Sequence, residues 1–171
     1  MSLRDRIRRK QRIQQAEGYL ELGMAEHALA SLAKLETAES LGGHACYLRG
    51  EALRELERYE EGLEWLRQAA DASPDNIHIW LALGWCYKRT GTIDMAIESL
   101  DRALAIDPSE AIIHYNLACY WSLARNAGQA LGYLAQALEI DSNYRDLVHD
   151  ESDFDAIREH PGFQALTTVI V

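Results

Sequence analysis

The sequence predicts an all-α protein built of four stacked helical hairpins with a helical cap at its C-terminal end. Three observations carry that reading. Small, aromatic and turn residues recur every 34 residues from Arg9 to Tyr144 without insertion, and a period of roughly 20–50 residues marks an array of supersecondary units. Hydrophobic residues make up 48% of the 171 residues against 3 prolines, which suits a packed core and not a disordered chain. Beyond Tyr144 the period is lost, as the last unit of an array requires, because its outer face meets water and not another repeat.

The units run 9–42, 43–76, 77–110 and 111–144. The third is the clearest: Leu83, Gly84 and Tyr87 in a first helix, Gly91 at a turn, Ala96, Leu100 and Ala103 in a second helix, then Pro108. One period earlier stand Arg49, Gly50, Leu53, Glu57, Gly62, Leu66, Ala69 and Pro74. One period later stand Leu117, Ala118, Trp121, Arg125, Ala130, Leu134, Ala137 and Ser142. The first unit is the most degenerate, with Gln15, Ala16, Tyr19, Gly23, Ala28, Leu32, Leu35 and Ser40. In the third unit helix A is expected over 77–90 and helix B from about 93 to 106. Pro108 cannot continue a helix and biases Asp107 away from helical dihedrals. Gly84 and Ala96 are small where two helices must approach closely, so a large side chain at Ala96 should overpack by ~1–3 kcal/mol. Gly42-Gly43-His44 reads as the turn between the first two units.

This order of small, aromatic and proline positions resembles the tetratricopeptide repeat family, over about four-fifths of the chain. Trp80, Leu83, Gly84, Tyr87, Ala96, Ala103 and Pro108 fall on family positions. The resemblance implies a right-handed α-α superhelix whose A helices line a concave surface that holds ligands. One subgroup of the family grips the C-terminal carboxylate of heat-shock chaperones with lysines, an arginine and asparagines. The corresponding places here include Ile13, Glu17, Leu48, His78 and Ala82, which cannot form that clamp.

The ends lie outside the repeat. Residues 1–8 form a basic extension, and residues 1–12 hold six cations (Arg4, Arg6, Arg8, Arg9, Lys10, Arg12) against one anion, Asp5. Cations at a helix N-terminus oppose the macrodipole, so residues 1–8 are expected to fray unless a partner or a neighbouring chain orders them. Residues 145–171 form the cap, similar to the acidic helical endings of many bacterial tetratricopeptide proteins. Ser152 with Asp155 reads as a capping box, and Pro161-Gly162 is expected to end that short helix. Phe154, Ile157, Phe163 and Leu166 supply the apolar face that covers the last repeat.

By the resemblance, the exposed A-helix positions are the second, fifth, ninth and twelfth of each unit. In the middle of the array they place Tyr47, Glu51 and Arg54 on one helix and His78, Leu81, Trp85 and Lys88 on the next. Tyr115, Cys119 and the neighbouring Asn116 follow on the last. Aromatics flanked by hydrogen-bond donors suit peptide hot spots; the alternative is that Tyr47 and Tyr115 pack between adjacent A helices. His44 and His78 stand one repeat apart, roughly 10 Å by interhelical spacing, too far for one zinc, so no metal is assigned.

Charge and composition exclude other classes. The net charge is −10, and outside residues 1–12 there are 11 cations against 26 anions. So acidic a body repels a phosphate backbone, which argues against nucleic acid. No apolar run approaches the ~20 residues of a membrane span, so no membrane insertion is expected. Cys46, Cys86 and Cys119 are widely spaced, as buried thiols in a reducing cytoplasm would be. The Asp150, Glu151, Asp153 and Asp155 cluster lacks the spacing of a calcium loop. No nucleophile elbow, phosphate-binding glycine loop or paired-cysteine zinc motif occurs. The expected function is therefore a non-enzymatic bacterial adaptor, without cofactor, that binds a protein or peptide in its groove. The alternatives are a secretion-type chaperone for a translocator client, whose known members resemble this chain in size and acidity, and a homo-oligomerisation module.

Overall fold

The computed structural model describes residues 2–35 and 38–168. Among these residues every regular element is helical, and the chain divides into two compact units, Met1–Thr90 and Gly91–Val171. The first contains α1 (Leu3–Glu21), α2 (Ala25–Leu32), α3 (Ala38–Glu55), α4 (Tyr59–Ala72) and α5 (Ile77–Arg89). The second contains α6 (Ile93–Ile106), α7 (Ala111–Leu123), α8 (Ala127–Ile140), α9 (Tyr144–Val148), a 3-10 turn over Ser152–Ile157, and α10 (Pro161–Thr167). The bounds of α5 and α6 match the expected helices within a residue.

The 34-residue period reappears in the turns. Gly23, Glu57, Gly91 and Arg125 all adopt left-handed backbone, with φ of 67°, 58°, 79° and 59°. These four are one repeat position, the residue that reverses the chain after each A helix. Gly42, between the first two repeats, also has positive φ, 68° with ψ 158°, and breaks α3. A second recurrent device fastens the turns between repeats. The Trp80 Nε1–H donates to the carbonyl of Pro74 at 2.7 Å, and His114, one period on, places Nε2 2.7 Å from the carbonyl of Pro108. The carbonyl only accepts, so Nε2 carries the proton.

The periodic positions form the core. In the first unit Ala16, Ala28, Leu32, Leu66 and Ala69 are fully buried, and in the second Ala96, Leu100, Ala103, Leu117, Ala118, Leu134 and Ala137 are. Each buried leucine contributes ~1.5–3 kcal/mol. The close approach of α3 and α4 explains the recurrent small residue: a Cβ on Gly50 would lie 2.5 Å from Leu66 Cγ.

Both ends differ from expectation. Residues 3–8 of the basic extension are helical, the first part of α1, begun by a capping box at Ser2. The Asp5 N–H donates to Ser2 Oγ at 3.1 Å, and the Ser2 N–H donates back to Asp5 Oδ2 at 3.1 Å. The opposing cations are present, but Asp5 supplies an anion inside the first turn. At the C-terminal end the cap residue is Glu151, whose Oε1 accepts the Asp153 N–H at 3.1 Å, and not Ser152. Asp155 instead pairs with Arg158 at 3.0 Å. Pro161 starts a helix where it was expected to stop one: it opens α10, with His160 Nδ1 accepting the Gly162 N–H at 3.1 Å. Phe154, Ile157 and Phe163 are buried as expected, and Leu166 is half-buried.

Candidate partner-binding surface

Within the first unit α1 packs on α3, and α3 on α5. The predicted residues of α3 form one linked group. Tyr47 is half-buried, four residues before Glu51 and so on the same helix face. Glu51 and Arg54 form a two-pronged ion pair, Nε to Oε1 at 2.9 Å and Nη2 to Oε2 at 3.0 Å. That hydrogen bonding holds the Arg54 guanidinium even more firmly protonated. Burial pushes the Tyr47 phenol up to about 12, with Glu51 adding to the shift and Arg54 opposing it.

On α5, Leu81 is half-buried and Trp85, one turn later, is 38% exposed. Lys88 Nζ lies 5.1 Å from the Trp85 ring centroid, a cation-π contact that holds the indole in place. His78 is exposed in the first turn of the same helix. Leu81, Trp85 and Lys88 therefore present an apolar and a charged element on neighbouring turns.

Sequence reasoning missed a hollow of about 320 Å³ in this unit, lined by Glu17, Leu20, Glu21, Tyr47, Leu48, Glu51 and Glu55. Its lining combines the apolar Leu20, Tyr47 and Leu48 with four carboxylates. The signal was present in the period: Glu17 and Glu51 share one repeat position, Glu21 and Glu55 another. Four residues separate the two positions, one helical turn on a single face. Two carboxylates have partners, Glu51 with Arg54 and Glu17 with His44 Nε2 at 2.6 Å. Among the described residues no ion pair engages Glu21 or Glu55.

The second unit corrects the remaining part of the predicted groove. Tyr115 and Cys119 are only 6% and 2% exposed. The Tyr115 ring lies 4.9 Å from that of Tyr144 and 5.7 Å, edge-on, from that of Phe154. Burial is the main cause that drives its phenol well above the ordinary tyrosine range. The cap occupies the face of α7 that an open groove would need, so neither residue lines one; Asn116 is half-buried. Cys119 Sγ and carboxylate oxygens of Glu151 and Asp153 lie within 4.8 Å of one another. Glu151 there caps the 3-10 turn, so this cluster has a structural explanation.

Known proteins resemble the chain as follows. Two models of the tetratricopeptide repeat family match residues 13–77 and 53–118. Superkiller protein 3 of Saccharomyces cerevisiae is 32% identical over 62 residues, 35% of this chain but 4% of that protein. Anaphase-promoting complex subunit 3 of Dictyostelium discoideum is 33% identical over 55 residues, 32% of this chain and 6% of that protein. The chain thus spans a small fraction of the curated relatives it matches. Among solved structures, MamA from Desulfovibrio magneticus RS-1 superposes with a TM-score of 0.73 at 20% identity, covering 79% of this chain and 76% of that one. YrrB, described as a TPR protein with an unusual peptide-binding site, gives 0.72 at 23% identity, covering 78% and 69%. A thermophilic TPR protein of Thermus thermophilus, TTC0263, gives 0.67 at 17% identity, covering 93% and 86%. Among the described residues no helix is long and apolar enough to cross a membrane.

Proposed function

Because the chain belongs to the tetratricopeptide repeat family, we propose that it is a non-enzymatic adaptor that holds a segment of another protein against α3 and α5 of its first unit. The single observation that carries this is Trp85. A tryptophan 38% exposed on an A helix, with Leu81 one turn away and Lys88 over its ring, is an anchor with an unfilled apolar face. The likeness in fold to YrrB, a protein described by its peptide-binding site, supports the reading without supplying a partner. The buried thiols Cys46, Cys86 and Cys119 suit a reducing cytoplasm.

Site-specific photo-crosslinking in the native host tests it. A photoreactive residue in place of Trp85 should capture partner peptides, and one in place of Gln68, exposed on α4, should not. Trp85→Ala should weaken a captured partner's binding by roughly 30-fold or more, the scale of a hot-spot truncation. Equal capture from both positions would sink the assignment.

A further inference from the structure

The acidic hollow of the first unit has a counterpart in the same chain. The helix α1 has 19 residues, roughly 28 Å, while its hairpin partner α2 has 8, roughly 12 Å. The excess length lies at the basic end: residues 2–8 are all exposed. Leu3 and Ile7 are 67% and 52% exposed and, four residues apart, share one helix face. Among the described residues no carboxylate forms an ion pair with Arg4, Arg6 or Arg8. This end of α1 is therefore a capped helical peg with two bare apolar side chains and a cationic surround. The hollow is its complement, lined by Leu20, Tyr47 and Leu48 together with Glu17, Glu21, Glu51 and Glu55.

We infer that the hollow receives the N-terminal peg of a second copy of this chain. The inference deepens the adaptor reading, because Tyr47 and Glu51 belong to the same exposed face. A chain cannot fill its own hollow. Peg and hollow lie on one continuous helix, with Ile7 and Glu17 roughly 15 Å apart along its axis, and a helix does not fold back on itself. The contact is therefore intermolecular and joins unlike surfaces, so it either closes reciprocally between two copies or extends head to tail. Leu3 and Ile7 pack on Leu20, Tyr47 and Leu48, while Arg4, Arg6 and Arg8 meet the carboxylates, of which Glu21 and Glu55 have no internal ion pair among the described residues. The six cations of residues 1–12 in an otherwise acidic chain then have a use that a solvated helix end does not give them.

The test is sedimentation velocity of the full chain from about 1 to 200 μM, in low and high salt, with circular dichroism to confirm folding. The weight-average mass should rise with concentration in about 50 mM salt and fall in about 500 mM, where screening is stronger. Arg4→Glu with Arg6→Glu, and separately Glu21→Arg with Glu55→Arg, should each weaken association at least tenfold. An equimolar mixture of the two variants should restore it, because each reversed surface then meets its reversed complement. A fluorescent peptide of residues 2–13 should bind the wild-type chain, and its Leu3→Ser, Ile7→Ser form should bind at least tenfold more weakly. A wild-type chain that stays monomeric throughout and ignores the peptide overturns the inference, as does association that either charge reversal leaves intact. Continued crosslinking of other proteins from position 85 would then keep the adaptor reading, and loss of both would end both.

Discussion

Replacing Phe154 with alanine should detach the C-terminal cap, and the size of the effect follows from its surroundings. The ring is fully buried, edge-on to Tyr115 at 5.7 Å and tilted against Phe163 at 5.4 Å. A buried Phe→Ala change costs ~3–5 kcal/mol in transfer and cavity terms, and total stability is ~5–15 kcal/mol. In a repeat array stability is partly local, so the loss should appear first as opening of the cap. By hydrogen exchange, amides of α9 and α10 should exchange roughly 100-fold faster or more, at ~1.4 kcal/mol per tenfold, while those of α3 and α4 keep wild-type rates. The Tyr115 phenol should fall back toward the ordinary ~10. The sign is fixed by the direction of that shift. Burial raises the phenol, so its contribution is intact below the unfolded value of ~10 and fades as pH rises toward the folded value. Wild-type cap protection should therefore weaken as pH rises above ~10. Phe154→Leu, nearer in volume, should recover most of the loss. If Phe154→Ala costs under ~1 kcal/mol and leaves cap exchange unchanged, Tyr115 is not held under the cap.

Three further outcomes can be checked. Glu57 and Arg125 hold left-handed backbone that a side chain disfavours by ~1–2 kcal/mol, against ~0.5–1 kcal/mol of extra entropy lost by glycine; Glu57→Gly and Arg125→Gly should each raise the urea midpoint slightly, and Gly91→Ala should lower it. Cys46 and Cys86 are buried, with burial raising both thiols, Cys86 to about 12; iodoacetamide at about pH 8 should label native protein far more slowly than urea-unfolded protein, read by intact mass. The Asp5 carboxyl is held below its usual range chiefly by its hydrogen bond to the Ser2 side chain; its contribution to the start of α1 is present above ~3.9 and lost as pH falls further, so amide protection over residues 3–8 should fall below about pH 4 in wild type and change less with pH in Ser2→Ala.

The fold was legible because the period constrains buried positions most. Gly50, Leu66, Ala69, Leu83, Gly84, Leu100, Ala103, Leu117 and Ala137 recur and are all buried, so counting by 34 found the core directly. The candidate surface was legible only where a repeat keeps its A helix open. Tyr47, Leu81 and Trp85 meet that condition. Tyr115 occupies the position of Tyr47 and Leu81 but is covered by Phe154, nearly forty residues further along and outside the period. Position within a repeat says which way a side chain points; it does not say what arrives later to cover it. The same limit explains the two misread ends, where Ser2, Glu151 and Pro161 act through local caps that obey no period.

Recurring exposed positions do not keep one residue type along this array. Glu17 and Glu51 give way to Trp85 at one position, and Glu21 and Glu55 give way to Arg89 at the other. The exposed face of the first unit therefore changes from carboxylate to aromatic and cationic between α3 and α5. The basic peg can satisfy only the acidic part, because Arg4, Arg6 and Arg8 beside the exposed Arg89 would repel. The two parts thus favour different occupants. In the mixture of charge-reversed variants, association should return without any change in what Trp85 binds. If restoring the peg contact instead displaces a partner from Trp85, the two parts are one continuous site, and the adaptor would release its client as it assembles.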